Sequence, residues 1–269
     1  MAPLPTTEAI ILEENEGWLT IWLNTPENRN ALSDKLAGEL TQTIEAIRDN
    51  RTIRGVTLRG KGGVFCAGGD LKAFHTVFQG GAEKEAVAAS NREGGALFAA
   101  LNALPQVVIA LVDGAAIAGG LGLVCCCDIV AVTAKTKFSL TETQLGIVPA
   151  QIAPFVVQRL GQTAARRLML TGARFLGADA KEIGVADFVV DDDAGLDAVE
   201  TTIKKQVLRC APGANAATKE VLTAAPAMAP DALSAFAADR FAECMLSEEG
   251  REGVAAFVEK RRPSWAPEK

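Results

Sequence analysis

Residues 107–133 read VVIALVDGAAIAGGLGLVCCCDIVAVT, and the fold class is predicted first from this segment. Two short apolar runs rich in β-branched residues, Val107 to Val112 and Ile129 to Thr133, flank a glycine-rich turn at residues 118–122. Continuous apolar runs of this length are typical of strands covered on both faces, as in the parallel sheets of α/β proteins. Because glycine-rich turns of this kind open helices, the stretch predicts a strand, a helix and a second strand of an α/β core.

The same alternation extends in both directions from this stretch. Strands are predicted at residues 10–13, 18–23 and 56–59, with an amphipathic helix at residues 33–48 that has Ser33 as its N-cap. Beyond Pro149 the pattern predicts helices at residues 152–160, 163–170 and 178–183 and a last strand near residues 185–190. Left-handed caps are expected where Gly161, Gly172 and Gly184 follow these helices.

From Leu196 onward the pattern predicts only helices. The change of pattern near residues 191–193 divides the chain into two predicted domains. The first is a catalytic core at residues 1–193, and the second is a helical module at residues 194–269.

Composition limits the classes of function. The chain has 269 residues, 49% of them hydrophobic, and a formal charge of −6, so it buries a large core and lacks the basic surface that nucleic-acid binding requires. No run approaches the roughly twenty apolar residues that a membrane span needs, and the N-terminus lacks the features of a signal peptide. We therefore expect a cytoplasmic protein without nucleic-acid or membrane partners.

The six cysteines point to no metal site. Cys125, Cys126 and Cys127 are consecutive in an apolar run, and the other three cysteines are isolated. This spacing matches neither zinc-binding pairs nor a small disulfide framework. We expect reduced, buried thiols and no bound metal.

The residues that carry chemistry are a carboxylate and two glycine-rich turns. The turns are Ala67-Gly68-Gly69-Asp70 and Ala118-Gly119-Gly120-Leu121-Gly122, and Glu142 follows the second of them by twenty residues. Backbone N–H groups at the start of a helix stabilise negative charge that develops on a carbonyl oxygen. The pattern therefore predicts an oxyanion hole opposite a single carboxylate that moves a proton.

These motifs resemble the signature pair of the enoyl-CoA hydratase/isomerase (crotonase) family. The resemblance rests on residues 65–71 (FCAGGDL), on residues 113–120 (DGAAIAGG) with Cys127-Asp128, and on residues 28–32, 142–149 and 257–261, and it spans nearly the whole chain. It implies a spiral of ββα units with a C-terminal helical trimerisation module. The implied assembly is a homotrimer or a dimer of trimers.

The resemblance also assigns residues to an acyl-CoA substrate. The N–H groups of Gly69 and Gly119 would hold the thioester oxygen, and Glu142 would be the acid/base. The CoA group would meet Arg29, Ala31, Ala67, Asp70 and Leu71, together with Phe257 and Lys260 of a neighbouring subunit. A solvated helix end is an equal alternative for Lys260, while Asp70 and Asp128 are also interpreted as structural, the former as a helix cap. No cofactor is expected, because coenzyme A is part of the substrate.

One position departs from the pattern of the two-glutamate hydratases. The first catalytic glutamate of that pattern aligns with Gly122, so only Glu142 is left to move protons. Residues 146–157 and 210–214 are nevertheless similar to bacterial hydratases of branched glutaconyl-CoA thioesters, of the 3-methylglutaconyl and isohexenylglutaconyl types. The resemblance therefore implies hydration of a branched, 3-substituted glutaconyl-CoA in leucine or acyclic terpene degradation.

Four residues are candidates for the acyl pocket: Lys72, His75, Gly122 and Gln144. Lys72 and His75 would pair with the free carboxylate of a glutaconyl group, although a surface position is an alternative for a lone histidine. Gln144 would orient water beside Glu142, or else be an exposed loop amide. Two other functions stay open, a 3,2-trans-enoyl-CoA isomerase, for which one carboxylate suffices, and an inactive acyl-CoA-binding or assembly protein.

Overall fold

The computed structural model describes residues 3–71, 75, 80–81 and 83–267. Six strands form the larger sheet: β1 (Ile10–Asn15), β2 (Trp18–Leu23), β3 (Gly55–Gly60), β4 (Val107–Val112), β6 (Ile129–Thr133) and β9 (Phe188–Val190). Their order is β1-β2-β3-β4-β6-β9. The pair β1 and β2 is antiparallel, and each of the other neighbouring pairs is parallel. The predicted α/β class is confirmed.

A second, three-stranded sheet consists of β5 (Ala115–Ile117), β7 (Lys137–Ser139) and β8 (Phe175–Leu176), in the order β5-β7-β8. Strand β5 is parallel to β7, and β7 is antiparallel to β8. Consecutive units of the chain therefore stack on one another: β4 and β6 pair in the larger sheet, while β5 and β7 pair in the smaller one. A bridge between Cys66 and Ala116 extends this stacking to the segment that precedes the first glycine-rich turn.

Helices pack on both faces of the larger sheet. Those with described bounds are α1 (Asp34–Ile47), α2 (Lys84–Asn102), α3 (Gly119–Cys126), α4 (Ala153–Thr171), α5 (Gly177–Ile183), α6 (Asp193–Val207), α7 (Pro212–Ala224), α8 (Pro230–Leu246) and α9 (Glu248–Val258). Leu196, Ile203 and Val207 of α6 pack against Ile109 and Ala131 on one face, and the main core lies on the other. Within the described ranges, no helix is both long and apolar enough to cross a membrane.

Two aspartates fix the register of the parallel strands at their starts. Asp128 donates its N–H to the Val108 oxygen at 2.9 Å, and its carboxylate accepts the Val108 N–H at 2.7 Å. Asp187 makes the same pair of bonds with Val130, at 2.9 and 2.7 Å. Each carboxylate also has a cationic partner, Lys219 for Asp128 and Arg159 for Asp187. The structural interpretation of Asp128 agrees with these contacts.

Most predicted elements are confirmed, including Ser33, whose hydroxyl accepts the Leu36 N–H as the N-cap of α1. Gly172 and Gly184 end their helices in the left-handed conformation, as expected. Gly161 separates two helical segments of α4 as predicted and has a positive φ of 70°, but its ψ of 166° is extended, so it forms a kink and not the expected left-handed cap. Helices follow Leu196 as predicted, but the boundary between residues 193 and 194 stays a prediction.

Four cysteines are buried thiols, as expected: Cys66, Cys125, Cys126 and Cys127. Burial raises the pKa of Cys66, Cys125 and Cys127 to about 12, so these thiols stay protonated and are poor nucleophiles. Cys210 is exposed and Cys244 is partly exposed, which differs from the expectation.

Candidate active site

The first glycine-rich turn has a conformation that only glycine adopts readily. Gly68 has a φ of +95°, and a Cβ added there would lie 2.8 Å from the Ile117 oxygen and 2.9 Å from the Ala118 Cβ. The Gly68 carbonyl accepts the Leu32 N–H at 2.7 Å. Because the carbonyl and N–H of a trans peptide point in opposite directions, the N–H of Gly69 points away from Leu32. The hydrogen bond thus holds the direction of the first candidate donor.

The second turn holds its donor in a similar way. The Ala118 carbonyl accepts the Gly122 N–H at 3.0 Å, so the N–H of Gly119 points out of the start of α3. As the first residue of α3, Gly119 has no N–H partner inside the helix. Ala118 itself has a φ of 50° and a ψ of −119°, a strained backbone for a residue with a side chain. Its N–H bond to the Ser139 oxygen, 2.8 Å long, helps to hold that conformation.

The two turns are in contact. A Cβ added at Gly119 would lie 3.8 Å from the Cα of Gly68. Gly69 and Gly119 are both partly exposed, so a bound molecule can reach their N–H groups. The structure therefore brings together the two backbone segments that the sequence predicts as an oxyanion hole.

Glu142 follows β7 at nearly the position at which Gly119 follows β5, the strand that pairs with β7. Ile117 of β5 pairs with Ser139 of β7, and Gly119 and Glu142 follow these two residues by two and three positions. Adjacent strands lie about 5 Å apart, so this pairing brings the start of the Glu142 segment beside the second turn. A 3₁₀ helix, Glu142–Leu145, begins at the glutamate itself.

The environment of Glu142 suits a group that both takes up and releases a proton. Its residue exposure is 9%, and its buried Oε2 has no hydrogen-bond partner within the part of the chain that the structure describes. Burial raises the pKa of this carboxyl above its usual value, because removal from water disfavours the charged form. A carboxyl with a raised pKa exchanges protons more readily near neutral pH.

Asn30 joins the loop before α1 to the segment that leads into the first turn. Its fully buried amide accepts the Thr25 N–H at 2.8 Å and donates to the Lys61 and Val64 oxygens at 2.9 and 2.6 Å. The adjacent Arg29 carbonyl accepts the Ala67 N–H at 3.0 Å. Arg29, Ala31 and Ala67, three candidate CoA contacts, therefore lie together beside the turn, with Arg29 exposed and Ala31 buried.

Within the described chain, no hydrogen bond joins three other candidate CoA residues to Arg29, Ala31 and Ala67. Leu71 is 56% exposed beside the first turn, and Phe257 is 86% exposed on α9. Lys260 follows α9 with a φ of 54° and donates its N–H to the Phe257 oxygen at 3.2 Å. Their contact with CoA stays a prediction, and so does that of Asp70, whose proposed helix continues into residues outside the described ranges.

Two acyl-pocket candidates, Gln144 and Gly122, contact other parts of the chain. Gln144 is exposed, in agreement with the interpretation as an exposed loop amide, and it donates its amide N–H to the Gly172 oxygen at 3.2 Å. A role in orienting water beside Glu142 stays a prediction. Gly122 is buried, and a Cβ there would lie 2.3 Å from the Ile152 Cγ2 and 3.1 Å from the Phe98 Cε1. It lies beneath other side chains and does not face open space. His75 is exposed, while Lys72 lies outside the described residues.

Ile152 and Phe98 are the residues that sequence reasoning missed. The Phe98 ring reaches both helix positions, since its Cζ lies 3.7 Å from the Cβ position of Gly119. Gly122 is the feature of the sequence that could have indicated them. Because protein cores are closely packed, the space left by a buried glycine is filled by the side chain of a neighbour. Among the described residues, no group of three or more His, Cys, Asp or Glu side chains could hold a metal ion.

Comparison with known proteins identifies the family of the chain. The model of the enoyl-CoA hydratase/isomerase family matches residues 13–268. The chain belongs to this family. The enoyl-CoA hydratase/isomerase (crotonase) fold is confirmed by the crystal structure of an enoyl-CoA hydratase/isomerase from Marinobacter aquaeolei, which is 37% identical, with a TM-score of 0.91, over 96% of this chain and 99% of that one. The chain is also similar to the solved structure of Pseudomonas aeruginosa AtuE. That structure is 47% identical, with a TM-score of 0.93, over 97% of this chain and 100% of that one.

The names of two related proteins illustrate the range of acyl groups among the relatives of this chain. The mevalonyl-coenzyme A hydratase sidH of Aspergillus fumigatus is 32% identical over 93% of this chain and 92% of its own length. The 2,3-dehydroadipyl-CoA hydratase of Escherichia coli K12 is 29% identical over 95% of this chain and 98% of its own length. Membership of the family therefore leaves the acyl group of this chain to be decided by its own residues.

Proposed function

We propose that the protein adds water across the double bond of an α,β-unsaturated acyl-CoA. The observation that carries this proposal is a buried carboxyl at Glu142, whose Oε2 has no hydrogen-bond partner among the described residues. It lies one strand step from the second turn and two from the first, and hydrogen bonds hold the N–H directions of both turns. Donors held in place before the reaction stabilise developing charge without any cost of reorientation. The family and its hydratase members support the same chemistry.

In the proposed mechanism, the N–H groups of Gly69 and Gly119 bind the thioester oxygen and withdraw electrons from the double bond. The Glu142 carboxylate takes a proton from water, and the resulting hydroxide forms a bond to the β carbon. Electrons move to the thioester oxygen, so an enolate forms against the two donors. The protonated Glu142 then returns its proton to the α carbon, and the net change is the addition of one water molecule.

We infer further that the substrate is a branched, 3-substituted glutaconyl-CoA, of the 3-methylglutaconyl or isohexenylglutaconyl type. The similarity of residues 146–157 to hydratases of such thioesters supports this, as does Gly122 at the position of the first glutamate. The E. coli relative also acts on a thioester with a free carboxylate, as the name 2,3-dehydroadipyl-CoA implies. Such an enzyme would serve leucine or acyclic terpene breakdown in the cytoplasm, with His75 and Lys72 as candidate carboxylate partners.

A hydration assay with three thioesters tests this proposal. Loss of the ultraviolet absorbance of the conjugated thioester would be followed with crotonyl-CoA, 3-methylglutaconyl-CoA and isohexenylglutaconyl-CoA. We expect kcat/KM to be about 10-fold to 200-fold higher for a branched glutaconyl thioester than for crotonyl-CoA, the range that small differences in apolar contact produce. Equal or higher kcat/KM for crotonyl-CoA would contradict the substrate assignment.

The single carboxylate also favours a second candidate, a 3,2-trans-enoyl-CoA isomerase. One group that carries a proton between the α and γ carbons is sufficient for that reaction. Product analysis distinguishes the two reactions, because hydration adds the mass of water and isomerisation leaves the mass unchanged. Tight binding of CoA esters without any turnover would instead indicate an inactive family member.

We propose a homotrimer, or a dimer of trimers, assembled through the C-terminal helices. Large apolar side chains on α7, α8 and α9 are exposed on the single chain, with exposed fractions from 65% to 86%: Leu222, Phe241, Leu246, Phe257 and Val258. An apolar surface of this kind marks a protein contact. The contact would also bring Phe257 and Lys260 to the CoA group bound by a neighbour.

Replacing Phe241 by aspartate is expected to dissociate the assembly, because a charge in an apolar interface loses its hydration. Light scattering coupled to size exclusion should give three or six times the chain mass for the unaltered protein and a lower mass for the variant. The control is Val87→Asp on α2, where an exposed apolar residue outside the three helices is changed. A single-chain mass for the unaltered protein at micromolar concentration would contradict the proposal.

A further inference from the structure

The space beside Gly122 is filled by the side chain of Ile152. A Cβ at Gly122 would lie 2.3 Å from the Ile152 Cγ2 and 2.9 Å from its Cβ, both shorter than any normal carbon contact. The conflict involves the branch point of Ile152 as well as a methyl group, so a change of rotamer does not relieve it. The residue aligned with the first glutamate therefore cannot carry a side chain unless Ile152 moves.

Ile152 is held in place from several directions. It is 4% exposed and precedes α4, where its carbonyl accepts the Val156 N–H at 3.0 Å. Its neighbour Gln151 donates to the Asn91 Oδ1 at 2.8 Å and lies directly against Gly95 of α2. The junction before α4 is therefore fixed to α2, and Ile152 has little freedom to withdraw from Gly122.

The Phe98 ring links Gly122 to the proposed oxyanion hole. Gly119 and Gly122 are three residues apart on α3, so they share one side of the helix. The Phe98 ring lies 3.7 Å from the Cβ position of Gly119 and 3.1 Å from that of Gly122. Phe155, in the first turn of α4, packs beside it with the two ring centroids 6.5 Å apart. An apolar wall thus extends from the donor at Gly119 to Ile152.

We propose that Ile152 is a specificity-determining residue, which excludes a second carboxylate from the site and presents an apolar wall to an alkyl substituent on the β carbon of the substrate. This inference rests on the proposed hydratase function. Where a second carboxylate would need water or a charged partner, the wall formed by Ile152 and Phe98 favours a hydrocarbon branch. Thioesters with an alkyl group at carbon 3 therefore gain a contact that crotonyl-CoA lacks.

The proposed collision between position 122 and Ile152 is tested by a double-mutant cycle that measures Tm and does not depend on activity. In the unaltered background, Gly122→Ala is expected to lower Tm by about 5 °C or more, because the added methyl group overpacks a fixed site. In the Ile152→Ala background, which removes the 2.3 Å contact with Cγ2 and leaves the 2.9 Å contact with Cβ, the same change is expected to lower Tm by about half as much or less. Equal losses in both backgrounds would contradict the steric assignment.

The specificity part is tested with 3-methylglutaconyl-CoA and crotonyl-CoA. Ile152→Ala is expected to lower the ratio of their kcat/KM values about tenfold, since the methyl branch loses its apolar contact. Leu168→Ala is the matched control: it also removes apolar atoms from a buried side chain of α4 but lies beyond the kink at Gly161, so it should lower Tm and leave the ratio unchanged.

The outcomes separate the inference from the function on which it rests. An unchanged ratio in an active Ile152→Ala enzyme would overturn the specificity role while leaving the hydratase function intact. Absence of hydration by the unaltered enzyme would overturn the proposed function and the specificity role together. The double-mutant cycle would then still decide whether Ile152 keeps a side chain out of position 122.

Discussion

Replacement of Glu142 by glutamine is expected to lower kcat for hydration by about 10²-fold to 10⁴-fold, the usual contribution of a general acid/base. The amide has nearly the same size as the carboxyl but cannot take a proton from water. Binding of an unreactive acyl-CoA should change little, because the donors at Gly69 and Gly119 belong to the backbone. The change is measured by steady-state hydration assays together with calorimetric titration of the thioester.

The same variant should be more stable than the unaltered protein at neutral pH. The pKa of Glu142 is raised in the folded state, so the fold favours the protonated carboxyl. Stability from this group is fully present below the unfolded-state pKa, which is near 4.5, and is lost as pH rises through the folded-state pKa. Glutamine avoids that loss, and the advantage should therefore disappear below pH 4.5.

The control for both measurements is Glu45→Gln, which alters an exposed glutamate on α1. It should leave kcat and the denaturation midpoint unchanged across the same pH range. Full hydratase turnover by the Glu142→Gln protein would refute the assignment of Glu142 as the acid/base. An equal stability difference at pH 4 and pH 8 would contradict its raised pKa.

Substitution of Gly68 by alanine is expected to lower kcat by about 10²-fold to 10³-fold, comparable to the loss of one oxyanion donor. The new methyl group would collide with the Ile117 oxygen and the Ala118 Cβ, 2.8 and 2.9 Å away, and would push the two turns apart. The distance between the two donors would then no longer suit a single oxygen atom. Hydration kinetics on the purified, folded variant measure the effect.

Gly63→Ala is a matched control for this experiment. Gly63 also has a positive φ, of +70°, but a Cβ there has no atom within 4 Å. Both variants therefore introduce backbone strain at a positive φ, but only the substitution at Gly68 pushes the two turns apart. If the two variants lose the same activity, backbone strain explains the result and the proposed role of the turn contact fails.

Long elements of the fold were predictable because their apolar pattern extends over several residues. The strands β4 and β6 begin and end at the predicted residues, and the prediction of Ser33 as an N-cap is confirmed. Strands β5, β7 and β8 were missed because segments of two or three residues are too short to show an alternating pattern. These short strands stack the units that bear the turns and Glu142.

The site was predictable to the extent that its groups belong to local motifs. The glycine-rich turns and Glu142 could be named from sequence, since each motif has its own spacing. The burial of Glu142 and the contact between Gly122 and Ile152 could not, because both depend on packing between residues distant in the chain. The bond from Gln144 to Gly172 is of the same kind.

Because β5 stacks on β7, the three groups of the proposed mechanism come from three successive units of the chain. Cys66, Ala116 and Phe138 mark equivalent rungs, joined by parallel pairing. The rung at Cys66 leads to one amide, the next to the other amide, and the third to the carboxyl. An exchange of residues after the third rung leaves the anion-binding pair untouched. In the proposed mechanism, residues after the third rung could therefore change the proton-transfer step while the two amides continue to bind the thioester oxygen.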